Sequence, residues 1–208
     1  MLVFKGKSIS NSVSEAMLVQ QKDNMFRSAA LRMLPYSGML VLVAALAMLR
    51  ASRIGRIDAL SLLFDELVIA FGYIASVTDI KMKKIPNRVV LAMLASWALI
   101  MAPYVFVDAG MAIALIVESL LGLALGGGLF LLAYFISRKG LGGGDVKFMA
   151  AAGLFLGTGG AITTMLSGTI LAALTGGAMM LLKKIGKKDT IPLAPFLFAG
   201  MLITVFFK

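Results

Sequence analysis

Long apolar runs separated by short polar or basic segments dominate this chain. Five runs are close to the ~17–25 residues that cross a hydrocarbon core of ~30 Å: 60–78, 89–107, 111–137, 161–182 and 191–207. Two further runs are doubtful, because 34–49 is barely long enough to span and 146–156 is short. The pattern predicts an all-α, polytopic membrane helix bundle.

Two pairs of neighbouring runs are predicted to form hairpins. The short segment Val107-Asp108-Ala109-Gly110 suits the tip of a hairpin between 89–107 and 111–137. A second turn is indicated at Gly157-Thr158-Gly159-Gly160, which separates 146–156 from 161–182. The expected core over 60–207 therefore has six transmembrane helices.

Basic residues indicate how this core threads through the membrane, because Lys and Arg concentrate on the cytoplasmic side. Three clusters fall on one side when both hairpins form: Lys81, Lys83, Lys84 and Arg88; Arg138, Lys139 and Lys147; and Lys183, Lys184, Lys187 and Lys188. We expect a multi-pass protein of the cell (cytoplasmic) membrane whose basic side faces the cytoplasm.

The N-terminal residues differ from the core. Residues 1–33 are polar, mixed in charge and without a secretory cleavage pattern, which predicts a cytoplasmic or interfacial tail. Residues 34–59 hold the doubtful run 34–49 and a basic loop. If 34–49 crosses as an additional helix, the arginines after it lie on the far side; if it lies in the interface, the next helix enters from the wrong side. The more numerous core charges favour the additional span, and both arrangements stay open.

Composition excludes several classes of protein and of catalytic site. The chain is 60% hydrophobic and 14% charged, whereas soluble domains have roughly 45–50% apolar and ~25% charged residues. It has no His and no Cys, which excludes triads, thiolate nucleophiles and His/Cys zinc sites. In a membrane protein the net charge of +10 reflects the positive-inside bias and indicates no nucleic-acid partner.

Two Asp-aliphatic-Lys triplets stand out, because a charge in a membrane helix costs ~2.5–3.5 kcal/mol on insertion scales. Asp79 ends the helix over 60–78 and Asp145 begins a later one. The threading brings both to the cytoplasmic face, where two carboxylates can share a site. Carboxyls held close cannot both ionise and so share a proton. The ionised one then serves as a base on water, and the protonated one as an acid toward a peptide carbonyl.

A structural interpretation of these aspartates also stays open. Asp145 follows three glycines and is well placed to cap a helix N-terminus. Asp79 suits a solvated charge paired with Lys81 or Lys83. The glycines favour the shared site, because a cap needs none of them and glycine lets another backbone approach closely.

Other residues in the predicted spans are interpreted as packing contacts. Asp65, Glu66 and Glu118 are expected to face inward. The turn at Pro86 and Asn87 and the helix start at Pro192 and Pro195 each also suit the wall of a substrate groove. Small residues at packing spacing are expected between helices: Gly122, Gly126, Gly127, Gly128, Gly153 and Gly157.

Three blocks occur in order within 60–207: Asp79-Ile80-Lys81-Met82-Lys83-Lys84-Ile85-Pro86-Asn87, Gly142-Gly143-Gly144-Asp145-Val146-Lys147 and Ile191-Pro192-Leu193-Ala194-Pro195-Phe196. Together they resemble the type IV prepilin and preflagellin (archaellin) peptidases, membrane aspartyl proteases of the GxGD type. The resemblance implies a catalytic pair, Asp79 and Asp145, that cleaves basic leader peptides from pilin-like or flagellin-like precursors without a metal or cofactor. It assigns supporting roles to Gly142, Gly144, Lys147, Lys81, Pro86, Asn87, Pro192 and Pro195.

The chain departs from the larger members of that family. The large bacterial members carry a cytoplasmic domain with paired cysteines and an N-methyltransferase activity, whereas this chain has no Cys and no insertion between 60 and 79. The resemblance is therefore to the compact, peptidase-only form. Three alternatives stay open: a protease like presenilin or signal peptide peptidase, a small proton-coupled transporter, and a structural membrane subunit. The first is suggested by Pro192-Leu193-Ala194, which resembles the PAL motif of those proteases.

Overall fold

The computed structural model describes residues 59–137, 141–183 and 191–207. These residues form five helices: α1 (Ala59–Met82), α2 (Asn87–Val107), α3 (Ala109–Ile136), α4 (Gly143–Leu181) and α5 (Ala194–Phe207). The first four are long and apolar enough to cross a membrane, and α5 is a shorter apolar helix. The prediction of an all-α membrane bundle is confirmed at this level. The predictions for 1–33 and for the run 34–49 lie outside the described residues.

The second predicted hairpin consists of two helical arms that join at a break at Gly157 and are counted together as α4. Residues 158–160 were expected in a turn, but they are helical, and only Gly157 leaves helical geometry, with φ 68° and ψ −172°. Glycine adopts positive φ without steric cost, so one residue is enough to redirect the chain. The described part of the chain therefore has five helices in place of the six separate ones expected, and α4 has two arms, 143–156 and 158–181.

The start of the first arm of α4 and the end of its second arm lie at the same end of the bundle. Asp145, in the first arm, shares a cavity with Asp79 of α1, and the Asp79 carboxylate is bonded to Ala194 at the start of α5. Near the end of the second arm, a Cβ added at Gly176 lies 3.1 Å from Ile191, just before α5. A straight helix holds Asp145 and Gly176 ~46 Å apart. The chain therefore turns back at the break.

Glu118 of α3 closes this break. Its carboxylate accepts hydrogen bonds from the backbone N–H of Thr158, at 2.8 Å, and from the Thr158 hydroxyl. A carboxylate at a helix start satisfies an unpaired N–H and complements the helix dipole. Glu118 was expected to face inward, but its side chain is exposed on the protein surface. Asp65 is buried as expected, with 1% of its surface exposed.

The buried core lies where α1 meets the first arm of α4 and α5. Ile69 of α1, Phe148 of α4 and Leu197 of α5 are fully buried there. Helix α2 lies at the periphery, with only Met93 and Met101 buried among its residues. The core therefore fixes the ends of α1, α4 and α5 relative to one another, and these ends carry the residues of the site described below.

Close helix packing depends on glycine where α3 crosses the first arm of α4. A Cβ added at Gly122 lies 2.2 Å from the backbone oxygen of Gly153, and one added at Gly126 lies 2.7 Å from that of Met149. Gly127 has a similarly close neighbour, Ala150. The expected packing role of these glycines is confirmed, but it is wrong for Gly128, where an added Cβ meets no described atom within 4 Å.

Gly122→Ala is expected to destabilise the bundle by ~1–3 kcal/mol, because the added methyl forces α3 away from α4. Gly128→Ala is the matched control and is expected to leave stability unchanged or raise it by up to ~1 kcal/mol through helix propensity. Thermal unfolding in one detergent checks both. Equal melting temperatures for the two variants contradict the packing assigned to Gly122.

Candidate active site

Helices α1 and α4 bring two aspartates to one cavity of about 410 Å³. Asp79 lies in the last turn of α1 and Asp145 in the first turn of α4. Their side chains are only 6% and 9% exposed, and they are close enough for their charges to interact. Two carboxylates from separate helices therefore face the same buried space, which is the arrangement that a shared proton requires.

Asp79 is held by a backbone contact from a third helix. Its Oδ2 accepts a hydrogen bond of 3.1 Å from the N–H of Ala194, the first residue of α5. Helix α1 runs past Asp79 to Met82, and Lys83 ends it with φ 51° while donating its N–H to the Asp79 carbonyl at 2.7 Å. The interpretation of Asp79 as a solvated charge is therefore wrong, since its side chain is buried.

Asp145 is the third residue of α4 and does not cap it. The N-cap is Gly142, with φ −72° and ψ 133°, and its carbonyl accepts the Asp145 N–H at 3.1 Å. The cap interpretation of Asp145 is therefore wrong. Among the described residues, its buried Oδ1 has no hydrogen-bond partner. A buried oxygen without a partner is costly, which makes it a candidate contact for a substrate or for water.

The three glycines before Asp145 have different neighbours. A Cβ added at Gly142 lies 2.7 Å from Oδ2 of Asp145, and one added at Gly144 lies 3.4 Å from the backbone nitrogen of Ile85. Gly142 therefore leaves room for the carboxylate, whereas a Cβ at Gly144 makes an ordinary van der Waals contact with the segment after α1. A Cβ added at Gly143 meets no described atom within 4 Å. The two glycines of the GxGD pattern are thus the two with close neighbours.

Three lysines also line the cavity: Lys83, Lys84 and Lys147. The Lys147 ammonium donates to Oδ1 of Asn87 at 3.4 Å and so links the start of α4 to the start of α2. Lys81 is exposed, and in the described part of the chain it is not among the residues that line the cavity. The site therefore combines two carboxylates with nearby positive charge.

The remaining predicted residues flank the cavity. Pro86 is the N-cap of α2, with φ −64° and ψ 136°. Pro192 precedes α5 and Pro195 is its second residue, on either side of the Ala194 amide that contacts Asp79. These prolines shape the backbone around the site, while the described lining of the cavity does not include them.

Several residues of the site were not singled out from the sequence. The Ala194 amide is the most important, and its signal was available, because the first N–H groups of a helix have no intrahelical partner. Lys83, Lys84, Ile85 and Gly143 also line the cavity. In the described ranges, acidic side chains do not gather in groups of three or more that suit a metal ion.

Comparisons with known proteins place these features in a family context. Residues 67–180, which include both aspartates, match the model of the type IV leader peptidase family. The chain is 31% identical over 144 residues to the prepilin leader peptidase/N-methyltransferase of Bacillus subtilis (strain 168). The alignment covers 68% of this chain and 54% of that protein, so the chain spans about half the length of this relative. No solved structure matches the chain.

Proposed function

Because this chain belongs to the type IV leader peptidase family, we propose that it is a membrane-embedded aspartic endopeptidase. Its substrates are pilin-like or flagellin-like precursors, from which it removes a basic leader peptide. The observation that carries this proposal is the cavity shared by Asp79 and Asp145, both of which are buried there. The proposal covers the peptidase activity alone.

The chemistry follows from two carboxyls that share one proton. The ionised carboxylate takes a proton from a water molecule as the water oxygen attacks the peptide carbonyl carbon, and the protonated carboxyl donates to the carbonyl oxygen. A tetrahedral diol results. Its collapse breaks the C–N bond as the leaving amine gains a proton. The surfaces of Gly142 and Gly143 face this cavity without side chains, so an extended peptide can approach the aspartates closely.

The membrane arrangement that fits this chemistry has six crossings over 60–207: α1, α2, α3, the two arms of α4, and α5. The first arm of α4 and α5 are each ~21 Å long, shorter than a ~30 Å hydrocarbon core. When their other ends reach the opposite surface, a site at their common end therefore lies no more than ~9 Å inside the hydrocarbon core. Lys83, Lys84 and Lys147 around the cavity support a cytoplasmic orientation.

The test of this function is cleavage of defined precursors by the purified chain in liposomes. The panel holds a pilin-like precursor, a flagellin-like precursor, and a copy of each in which the basic leader residues are replaced by Glu. We expect one cut, between leader and hydrophobic helix, in at least one precursor, and a slower cut in its acidic copy. No cut in any precursor contradicts the proposal, and a cut within the hydrophobic helix favours the presenilin-like alternative.

Chelators are expected to leave cleavage within about twofold of the untreated rate, because the carboxyl pair itself activates water. The chain offers no His or Cys as a metal ligand. The measurement compares initial rates with and without EDTA and with 1,10-phenanthroline at constant ionic strength. Loss of activity that added zinc restores contradicts the carboxyl mechanism.

A further inference from the structure

The two aspartates of the cavity have unlike hydrogen-bond partners. Asp79 Oδ2 accepts the buried hydrogen bond from Ala194, at 3.1 Å. Asp145 Oδ1 is also buried but has no partner among the described residues. The two side chains are similarly buried, with 6% and 9% of their surfaces exposed, so burial does not distinguish them. A backbone hydrogen bond from Gly142 also reaches the Asp145 carboxylate, so the difference lies in Oδ1 of Asp145, the buried oxygen without a partner.

The Ala194 N–H is available because of its position in α5. The first N–H groups of a helix have no intrahelical acceptor, and they carry the positive end of the helix dipole. Pro195, the next residue, has no N–H, and Pro192 and Pro195 restrict the backbone on both sides of Ala194. The local sequence therefore leaves one preorganised donor at this end of α5, and that donor is bonded to Asp79.

An N–H donor stabilises a carboxylate more than a neutral carboxyl, whereas an unpaired buried oxygen disfavours the charged form. We infer that the backbone amide of Ala194 is the positioning group of the dyad, holding Asp79 as the ionised partner so that Asp145 carries the shared proton. The inference rests on the proposed function. The lysines Lys83 and Lys84 after α1 and Lys147 on α4 line the same cavity as both carboxyls and do not by themselves select one.

This assignment fixes the direction of each proton transfer. Asp79 takes a proton from water as the water oxygen bonds to the carbonyl carbon, and Asp145 gives its proton to the carbonyl oxygen. On collapse of the diol, Asp79 returns its proton to the nitrogen as the C–N bond breaks, and one hydroxyl gives its proton to Asp145. One water is consumed, and both carboxyls regain their starting states.

The first test needs no substrate and compares Asp79→Ala with Asp145→Ala. Both variants remove one of two repelling charges. Asp79→Ala leaves the buried Ala194 N–H without its acceptor, whereas Asp145→Ala frees the N–H of Gly142, an exposed residue that water can reach. We expect its melting temperature to lie about 2–4 °C or more below that of Asp145→Ala. Equal values, or a lower value for Asp145→Ala, overturn the inference while leaving the peptidase proposal intact.

The second test compares Ala194→Pro, which removes the N–H, with Ala194→Gly, which keeps it. Loss of the donor makes the ionised state of the base harder to reach, so we expect the acidic limb of the kcat/KM profile to move to higher pH in Ala194→Pro only. A purely structural role for Ala194 lowers kcat without moving that limb. Coincident limbs for the two variants overturn the inference. If Ala194→Pro is not recovered folded, the melting-temperature comparison decides.

Discussion

Asp79→Asn and Asp145→Asn are each expected to lower kcat for precursor cleavage by at least about 10³-fold, because either change removes one member of a pair that works as a unit. Asparagine is close in size to aspartate but can neither accept the proton of water nor supply one to the leaving amine. The measurement is the single-turnover rate of leader removal in liposomes, with insertion of each variant checked by its melting temperature.

The double variant and a matched control sharpen this prediction. Asp79→Asn combined with Asp145→Asn is expected to be no slower than either single variant, since groups that act together lose their effect together. Asp108→Asn is the control, because Asp108 caps α3 by accepting the Met111 N–H at 3.0 Å and asparagine caps equally well. Full processing by either single variant contradicts the dyad.

Gly142→Ala is expected to lower kcat by ~10²-fold, because misplacing a catalytic group by about 1 Å has an effect of that order. The added Cβ lies 2.7 Å from Oδ2 of Asp145, so the carboxylate must shift. Gly143→Ala is the matched control and is expected to stay within about threefold of the parent chain, since its Cβ meets no described atom within 4 Å. Rates and melting temperatures of both variants are compared under identical conditions.

A slower rate for Gly143→Ala than for Gly142→Ala argues against the geometry assigned to residues 142–144. If Gly143→Ala is the slower of the two, the open side of that glycine is where substrate binds, and Gly142 has only a turn role. If neither variant slows cleavage, the carboxylate of Asp145 has more freedom than its buried position suggests.

The helices were predictable from the sequence because each is an apolar run, and four of the five described helices are long enough to cross a bilayer. The geometry of α4 was not predictable from the sequence. Four residues with three glycines indicated a turn, but only Gly157 leaves helical geometry. Gly157 supplies the positive φ of this break, and Glu118 bonds to Thr158 from another helix. Such a contact joins residues far apart in the sequence, and local glycine content carries no information about it.

The candidate site was predictable in its side chains but not in its backbone. Asp79 and Asp145 stood out as charges at helix ends, and both line one cavity. The Ala194 amide was missed because its signal is its position at the start of a helix and not its residue type. The placement of the lysines also depended on where α1 ends: the helix continues to Met82, so Lys83, and not Lys81, lines the cavity.

The most direct test of the central claim is mass spectrometry of the products formed by the purified chain from one leader-bearing precursor in H₂¹⁸O. The account predicts two products from a single cut after the leader, one ¹⁸O atom in the new carboxyl group of the leader, and neither product with Asp79→Asn or Asp145→Asn. Cleavage at that bond by either Asn variant at the parent rate contradicts the account.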